Sequence, residues 1–193
     1  MSDFYDLSNL TKKDQIGKGG FGVVFKVLDK KAHKIYAAKI SLTELTEDQK
    51  RLMKNLEREI NLIASLNHPS ILKFIGYSPV NFANEPNPVI VTEYLPNGSL
   101  GDIIKLERQG LSPQLWDPTK KLINIYGIAS AMSYLHKNNI IHRDLKPVNI
   151  LEDEHLFPKI ADFGLSKILH SNSESMTTES TTGFKGTPIY VAP

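Results

Sequence analysis

The sequence contains no cysteine, which excludes disulfide staples, thiolate zinc sites and cysteine nucleophiles and fits a cytoplasmic, reducing location. Long apolar runs are missing too. The most apolar stretch, 122–135, is broken by Asn124, Gly127, Ser130 and Ser133, well short of the roughly 18 residues that a membrane span needs. The start, Met1-Ser2-Asp3-Phe4, has neither a basic segment leading into an apolar one nor a glycine in second place for myristoylation. Charge of one sign is also lacking. The 23 basic and 21 acidic side chains leave a formal net charge of +2 and are mixed along the chain, so neither a nucleic acid nor a membrane is expected as partner. What is present, 40% hydrophobic and 23% charged residues over 193 positions, is the composition of a globular protein with a real core.

Residues 10–40 read as strand, glycine-rich turn, strand, turn, strand, because Val23, Val24, Phe25 and Val27 supply β-branched and aromatic density. An antiparallel meander is expected. Thr46 with Gln49 resembles a capping box, and Leu52, Leu56, Ile60, Ile63 and Leu66 recur at helical spacing until Pro69. Two more strand-like runs, 71–75 and 89–94, flank a polar connection at 78–88. Pro96-Asn97-Gly98 is a turn and a candidate hinge. Beyond it, Asp117 as N-cap and Pro118 at the first helical position open a long helix with Leu122, Ile125, Ile128, Met132 and Leu135 as its expected buried stripe, ending around Lys137–Asn139. Short strands are expected at 150–151 and 159–160, followed by a polar Ser/Thr/Asn/Glu tract at 171–182 that reads as mobile.

Gly17-Lys18-Gly19-Gly20-Phe21-Gly22-Val23-Val24 fits G-x-G-x-x-G-x-V, in which missing side chains let backbone N–H groups approach phosphate oxygens. A tight turn alone would use the same residues. A dinucleotide site would need a helix after the glycines, whereas β-branched residues continue here as a strand, and the reading as a small oxidoreductase fails on that point. Lys39 lies within the apolar strand Tyr36-Ala37-Ala38-Lys39-Ile40, where an unpaired ammonium is costly to bury. It needs an anion. Glu59, between Leu56 and Ile63 on or beside the inward helix face, has the complementary problem. The two can pair with each other, or Lys39 can serve a phosphate. No H-E-x-x-H or Cys/His spacing among the six histidines makes a zinc site.

The densest chemistry is His142-Arg143-Asp144-Leu145-Lys146-Pro147-Val148-Asn149, with Asp162-Phe163-Gly164 beginning thirteen residues after Asn149. With the glycine loop, the strand lysine, the helix glutamate and Gly186-Thr187-Pro188-Ile189-Tyr190-Val191-Ala192-Pro193 in this order, the chain resembles the eukaryotic protein kinase superfamily over about residues 10–193. The resemblance implies an α+β, bilobal fold. It consists of a short extension (1–10), an N-lobe with a five-stranded antiparallel sheet and one helix (11–95), and a mainly helical, incomplete C-lobe (96–193).

The resemblance further implies an enzyme using ATP and Mg2+ on protein substrates. Ile16, Gly17, Lys18, Gly19, Gly20, Phe21 and Gly22 would cover the nucleotide, Val24, Ala37 and Leu151 would enclose adenine, and Thr92, Glu93, Leu95 and Ser99 would line the hinge side. Lys39, oriented by Glu59, would hold the α- and β-phosphates. Asp144 would orient the substrate hydroxyl and accept its proton, Lys146 would steady the γ-phosphate, and Asn149 and Asp162 would hold magnesium. His142 would stack on Phe163 within a column that includes Ile63 and Phe74; a second column would join Val24, Ala37, Leu100 and Leu151. Thr92 and the 93–100 segment resemble the tyrosine kinase-like group, while Lys146-Pro147 and Gly186-Thr187-Pro188 resemble serine/threonine kinases. Arg143, with Lys167, could pair with a phosphate placed by an upstream kinase or by autophosphorylation on Thr181, Thr182 or the neighbouring Ser171, Ser173, Ser175, Thr177, Thr178 and Ser180.

The sequence departs from the family where it stops at Ala192-Pro193, before the glutamate of the family's A-P-E motif and the helices that follow it. A truncated catalytic domain with exposed apolar surface is the expectation. The alternative is a pseudokinase or binding module, against which the full set of Lys39, Asp144, Asn149 and Asp162 argues.

Overall fold

Strand formation follows the β-branched and aromatic runs. In the computed structural model, which describes residues 4–19, 22–42, 60–163, 167–168, 187 and 190, β1 (Leu10–Gly19), β2 (Gly22–Asp29) and β3 (Lys34–Ser41) form the expected antiparallel meander. With β4 (Phe74–Ser78) and β5 (Val89–Glu93) they make a five-stranded antiparallel sheet in the order β1-β2-β3-β5-β4. Strand alternation sends Val27, Ala38, Val89 and Val91 into one core with Leu10, and Tyr5, Phe25, Tyr36, Ile40 and Phe82 pack against it. Each fully buried valine there contributes on the order of 1.5–3 kcal/mol. The β2–β3 turn is fixed by Asp29, whose carboxylate accepts the N–H of Lys31 and of Ala32 at 2.8 Å and the Tyr5 hydroxyl at 2.9 Å. Residues 60–65 are helical, with Ile60, Leu62 and Ile63 buried. The expected start of that helix, including Thr46, Gln49, Leu52 and Leu56, lies outside the described residues.

The fourth strand is displaced from its expected place. Residues 71–75 were expected to be extended, yet β4 begins at Phe74, and Ile71 instead bridges Ile160. The apolar run continues through Ile75 and Tyr77, and pairing with β5 selects that later part: Phe74 faces Thr92, and Tyr77 faces Ile90. Ile71 is spent elsewhere because the chain divides into two compact units. One comprises the residues up to 67 with 72–95, and the other comprises 68–71 with everything from 96 onward.

In the second unit, Ser99 and Asp102 form a reciprocal capping box at the start of α1 (Leu100–Arg108). Ile103 of that helix packs with Trp116 and Leu156. Asp117 caps α2 (Pro118–Lys137) through the Lys120 N–H at 2.7 Å, with Pro118 at its first position and the end at Lys137 as expected. Its buried face matches the expected one only in its second half, where Leu135 is buried and Ile128 and Met132 are half-buried. Leu122 and Ile125 are 66% and 65% exposed, beside Tyr126 at 77%, while Asn124, Gly127, Ala131 and Leu135 are buried. Close approach decides this: a Cβ at Gly127 would stand 2.8 Å from Pro158 and 2.9 Å from Ser70, so the small residues mark the contact face. β7 (Ile150–Glu152) and β8 (Pro158–Ile160) pair as an antiparallel hairpin at the expected positions, and β6 (Ile140–Ile141) pairs with β9 (Lys167–Ile168), a pairing that hydrophobic pattern alone does not announce.

Candidate active site

The catalytic-loop candidates are gathered by side-chain bonds rather than by regular structure. His142 is fully buried; its Nε2 lies 3.0 Å from the carbonyl oxygen of Ala161, and its Nδ1 lies 3.3 Å from the Asp144 nitrogen. Since Ala161 O can only accept and Asp144 N–H can only donate, the ring is neutral and carries its proton on Nε2. Burial agrees, holding the imidazole pKa below its ordinary value against the opposing pull of Ala161, Asp162 and Asp144. The ring also packs edge-on to Phe163, with centroids 5.1 Å apart, an edge contact between the two rings that the resemblance implied would stack.

Asp144 is the most heavily bonded group. Its Oδ1 accepts the Thr187 hydroxyl at 2.7 Å, and its Oδ2 meets Lys146 Nζ at 2.8 Å and accepts Asn149 Nδ2 at 3.0 Å. Lys146 Nζ also donates to Thr187 Oγ1 at 2.8 Å, and Asn149 Nδ2 to the Asp144 carbonyl at 2.8 Å. Burial pushes the Asp144 carboxyl up, but the bonds from Lys146, Thr187 and Asn149 together outweigh it and hold the pKa below the ordinary carboxylate range. The group is therefore an anion at neutral pH, with its charge spread over three donors.

Backbone geometry around this cluster is costly. Arg143 (φ 65°) and Asp162 (φ 61°) both occupy the left-handed region, which disfavours a side chain by roughly 1–2 kcal/mol apiece. Surrounding bonds over-determine the conformation: Asn149 N–H donates to Lys146 O at 2.9 Å, and Ala161 N–H to Asn149 O at 2.8 Å. Because Asn149 spends Nδ2 on Asp144, its oxygen is the end available for a cation. Asp162 is solvent-exposed. An amide oxygen and an exposed carboxylate make a sparse, all-oxygen donor set of the kind magnesium accepts when phosphate oxygens and water complete its shell. Among the described residues no cluster of three or more His, Cys, Asp or Glu side chains suits a metal, so a cage made by protein alone is not what these residues offer.

The nucleotide-facing candidates lie on the sheet of the first unit. Val24 pairs with Lys39, Lys39 with Ile90, and Ala37 with Thr92, so Val24, Lys39, Ala37 and Thr92 share the sheet face opposite Val27, Ala38 and Val91. Gly17 pairs with Val24, Lys18 with Val23 and Gly19 with Gly22, which puts Gly17, Lys18, Gly19 and Gly22 at one end of β1 and β2. Lys39 is half-buried on this face. A Cβ on Gly22 would stand 2.6 Å from the Ile40 carbonyl oxygen, so close β2–β3 packing next to Lys39 demands glycine there. Glu93 N–H donates to Lys73 O at 3.0 Å, and its carboxylate accepts Lys73 N–H at 2.8 Å. Its carbonyl accepts the Thr92 hydroxyl at 3.2 Å. Ser99 and Leu151 form a bridge within the second unit, but the Ser99 hydroxyl is already engaged with Asp102 at 2.6 Å as a helix cap.

Glu59, Gly20, Phe21, Gly164, the side chain of Lys167, and the 171–182 tract with its candidate phosphate acceptors lie outside the described residues. Thr187 is the participant that residue-type reasoning missed as a direct partner. Its bond to Asp144 spans 43 positions, and only its place in the Gly-Thr-Pro triplet pointed to it.

A model of the protein kinase domain matches residues 10–193. The chain is 36% identical over 96% of its length to a Dictyostelium discoideum kinase named for serine/threonine specificity, covering 18% of that protein. It is 34% identical over 97% of its length to the Arabidopsis thaliana receptor protein-tyrosine kinase CEPR1, covering 19%. A third relative, an Arabidopsis thaliana leucine-rich repeat receptor-like protein kinase whose name carries the word inactive, is 33% identical over 96% of the chain, which covers 18% of it. The chain thus spans about a fifth of the length of each of these curated relatives.

Proposed function

Because this chain belongs to the protein kinase family, we propose that it transfers the γ-phosphate of ATP to serine or threonine hydroxyls of protein substrates. The observation that carries this reading is the Asp144 carboxylate, anionic and held by Lys146, Thr187 and Asn149. A transferring phosphoryl group needs positioning and charge neutralisation more than covalent help. Asp144 suits the first need. With its pKa depressed it is a weak base in the resting enzyme, so its main work is to accept a hydrogen bond from the incoming hydroxyl and aim that oxygen, taking the proton late.

Lys146, 2.8 Å from both Asp144 and Thr187, places a cation beside the attacking oxygen, where negative charge is passed along during transfer. Asn149 Oδ1 and the Asp162 carboxylate are the groups that would hold magnesium, which when bound supplies charge neutralisation to the phosphates. Val24, Ala37 and Thr92 offer an apolar and small surface suited to a flat base, and Lys39 a cation suited to its phosphates. The bonds among Asp144, Lys146 and Thr187 favour a serine or threonine acceptor within this reading, in line with the motifs Lys146-Pro147 and Gly186-Thr187-Pro188. A silent kinase that binds nucleotide is the second reading, favoured only by the relative named inactive.

Transfer of labelled phosphate from ATP to a generic protein acceptor, comparing wild type with Asp144→Asn, tests the proposal. A fall of roughly 10²–10⁴-fold at an unchanged melting temperature is expected. Equal transfer by the two proteins would remove Asp144 from this role, and absence of transfer by wild type would favour the silent reading.

A further inference from the structure

A buried carboxyl group with no task in phosphoryl transfer lies on β7. Glu152 is 0% exposed, and neither of its carboxyl oxygens has a hydrogen-bond partner. Its side chain faces that of Asn124 on α2. Asn124 is itself 2% exposed and oriented without ambiguity, since its Nδ2 donates to the carbonyls of Lys120 at 3.2 Å and Leu156 at 3.1 Å. Both amide hydrogens are thereby used, and the remaining group, Asn124 Oδ1, is buried and also unpartnered.

Two buried acceptors that face each other repel, and an isolated carboxylate in such a place is strongly unfavourable. Turning the Asn124 amide over would not help, because it would set its oxygen against two carbonyl oxygens. One added hydrogen removes the charge and turns the opposed acceptors into a bonded pair, one Glu152 oxygen with Asn124 Oδ1. We propose that Glu152 is a neutral carboxylic acid in the folded protein, donating its O–H to Asn124 Oδ1, so that one bound proton is a structural part of the contact between β7 and α2.

The surroundings agree with this assignment. Burial, the dominant influence, pushes the Glu152 pKa up to about 7, and the adjacent Asp153 adds to that rise; Lys120 on α2 opposes it, whereas Asn124, with both amide hydrogens committed to carbonyls, has none to give the carboxylate. Lys120 is held away as an ion-pair partner, with its Nζ over the Phe157 ring at 4.2 Å. Pro158, opposite Glu152 on β8, has no titratable group. The location has structural reach: Glu152 N–H donates to Gly98 O at 2.9 Å, and Asn97 Nδ2 to Asp153 O at 2.6 Å, so the same strand anchors the 96–98 turn. Ionisation of Glu152 would leave a buried charge on the strand that anchors that turn.

The sign follows from proton linkage. A carboxyl whose folded pKa is raised contributes stability that is complete below its unfolded pKa and is lost as pH rises through the folded value, here between about 4.5 and 7. Glu152→Gln supplies the same donor without titrating. Unfolding of the whole chain in urea between pH 5 and pH 8 should find the two proteins close in stability at pH 5. By pH 8, wild type should fall behind by roughly a hundredfold in folding equilibrium constant. An infrared difference between wild type and Glu152→Gln at pH 6 should show the carbonyl band of a protonated carboxylic acid. A stability difference that does not change with pH, a missing acid band, or a Glu152→Gln protein that cannot fold at pH 5 would each overturn the proposal. None of these readouts depends on phosphoryl transfer.

Discussion

The sheet that carries Val24, Ala37, Lys39 and Thr92 and the loop that carries Asp144 are built on opposite plans. In the sheet, strand pairing fixes position: Val24, Lys39, Ala37 and Thr92 are set by register alone. In the loop the backbone is irregular, with Arg143 and Asp162 in the left-handed region, and side-chain bonds do the fixing. Substitutions in the loop should therefore reach activity before stability, and those in the sheet should reach stability first.

The sharpest way to break that contrast is Asn149→Leu. It removes the Nδ2 donor to Asp144 and, on the reading above, a magnesium ligand, so kcat should fall at least about 10²–10³-fold. Calorimetry should find the melting temperature little altered; a large loss of stability would erase the distinction. Gly22→Val in the sheet should behave the other way. Its Cβ would run into the Ile40 carbonyl oxygen, and overpacking of this kind costs about 1–3 kcal/mol. Denaturant titration should show the loss, with KM for ATP rising as β2 and β3 separate beside Lys39. Gly127→Ala, on the face of α2 that meets Pro158 and Ser70, should cost about 1–3 kcal/mol and leave KM for ATP unchanged.

A pH series sharpens the comparison from another side. His142 has a lowered folded pKa, so its contribution is present above the unfolded histidine value near 6.5 and is lost as pH falls through the folded one. Wild type should lose stability on acidification below about pH 6, and His142→Asn should show a shallower acid limb. Smallest in effect is Ser99→Ala, which removes the α1 cap and should cost about 1 kcal/mol. KM for ATP should not move, since the Ser99 hydroxyl is already committed to Asp102; a raised KM would make it a ligand contact instead.

Much of this was legible in the residues, and the exceptions share a cause. The β1–β3 meander, the N-cap and the end of α2 and the β7–β8 strand positions follow from local chemistry, and each appears where the pattern put it. The first half of the stripe on α2, Leu122 and Ile125, misled because large apolar side chains are a proxy for burial, while Leu135 is buried as expected. The actual contact is made by Gly127 and Ala131, whose smallness permits close approach, so Leu122 and Ile125 stay outside. The offset of β4 reflects Ile71 being claimed by Ile160, 89 positions away, and Thr187 is joined to Asp144 over a similarly unreadable distance. Glu152 was invisible for the opposite reason: a lone glutamate in a strand normally points at water, and only its burial against Asn124 makes it unusual.

One imidazole has a mechanical consequence. With a nitrogen committed at each end, to Asp144 N–H and to Ala161 O, the ring of His142 acts as a spacer of fixed width between the segment bearing Asp144 and the segment bearing Asp162. A flexible side chain in its place would let that interval breathe, whereas a flat aromatic gauge sets it once, at folding.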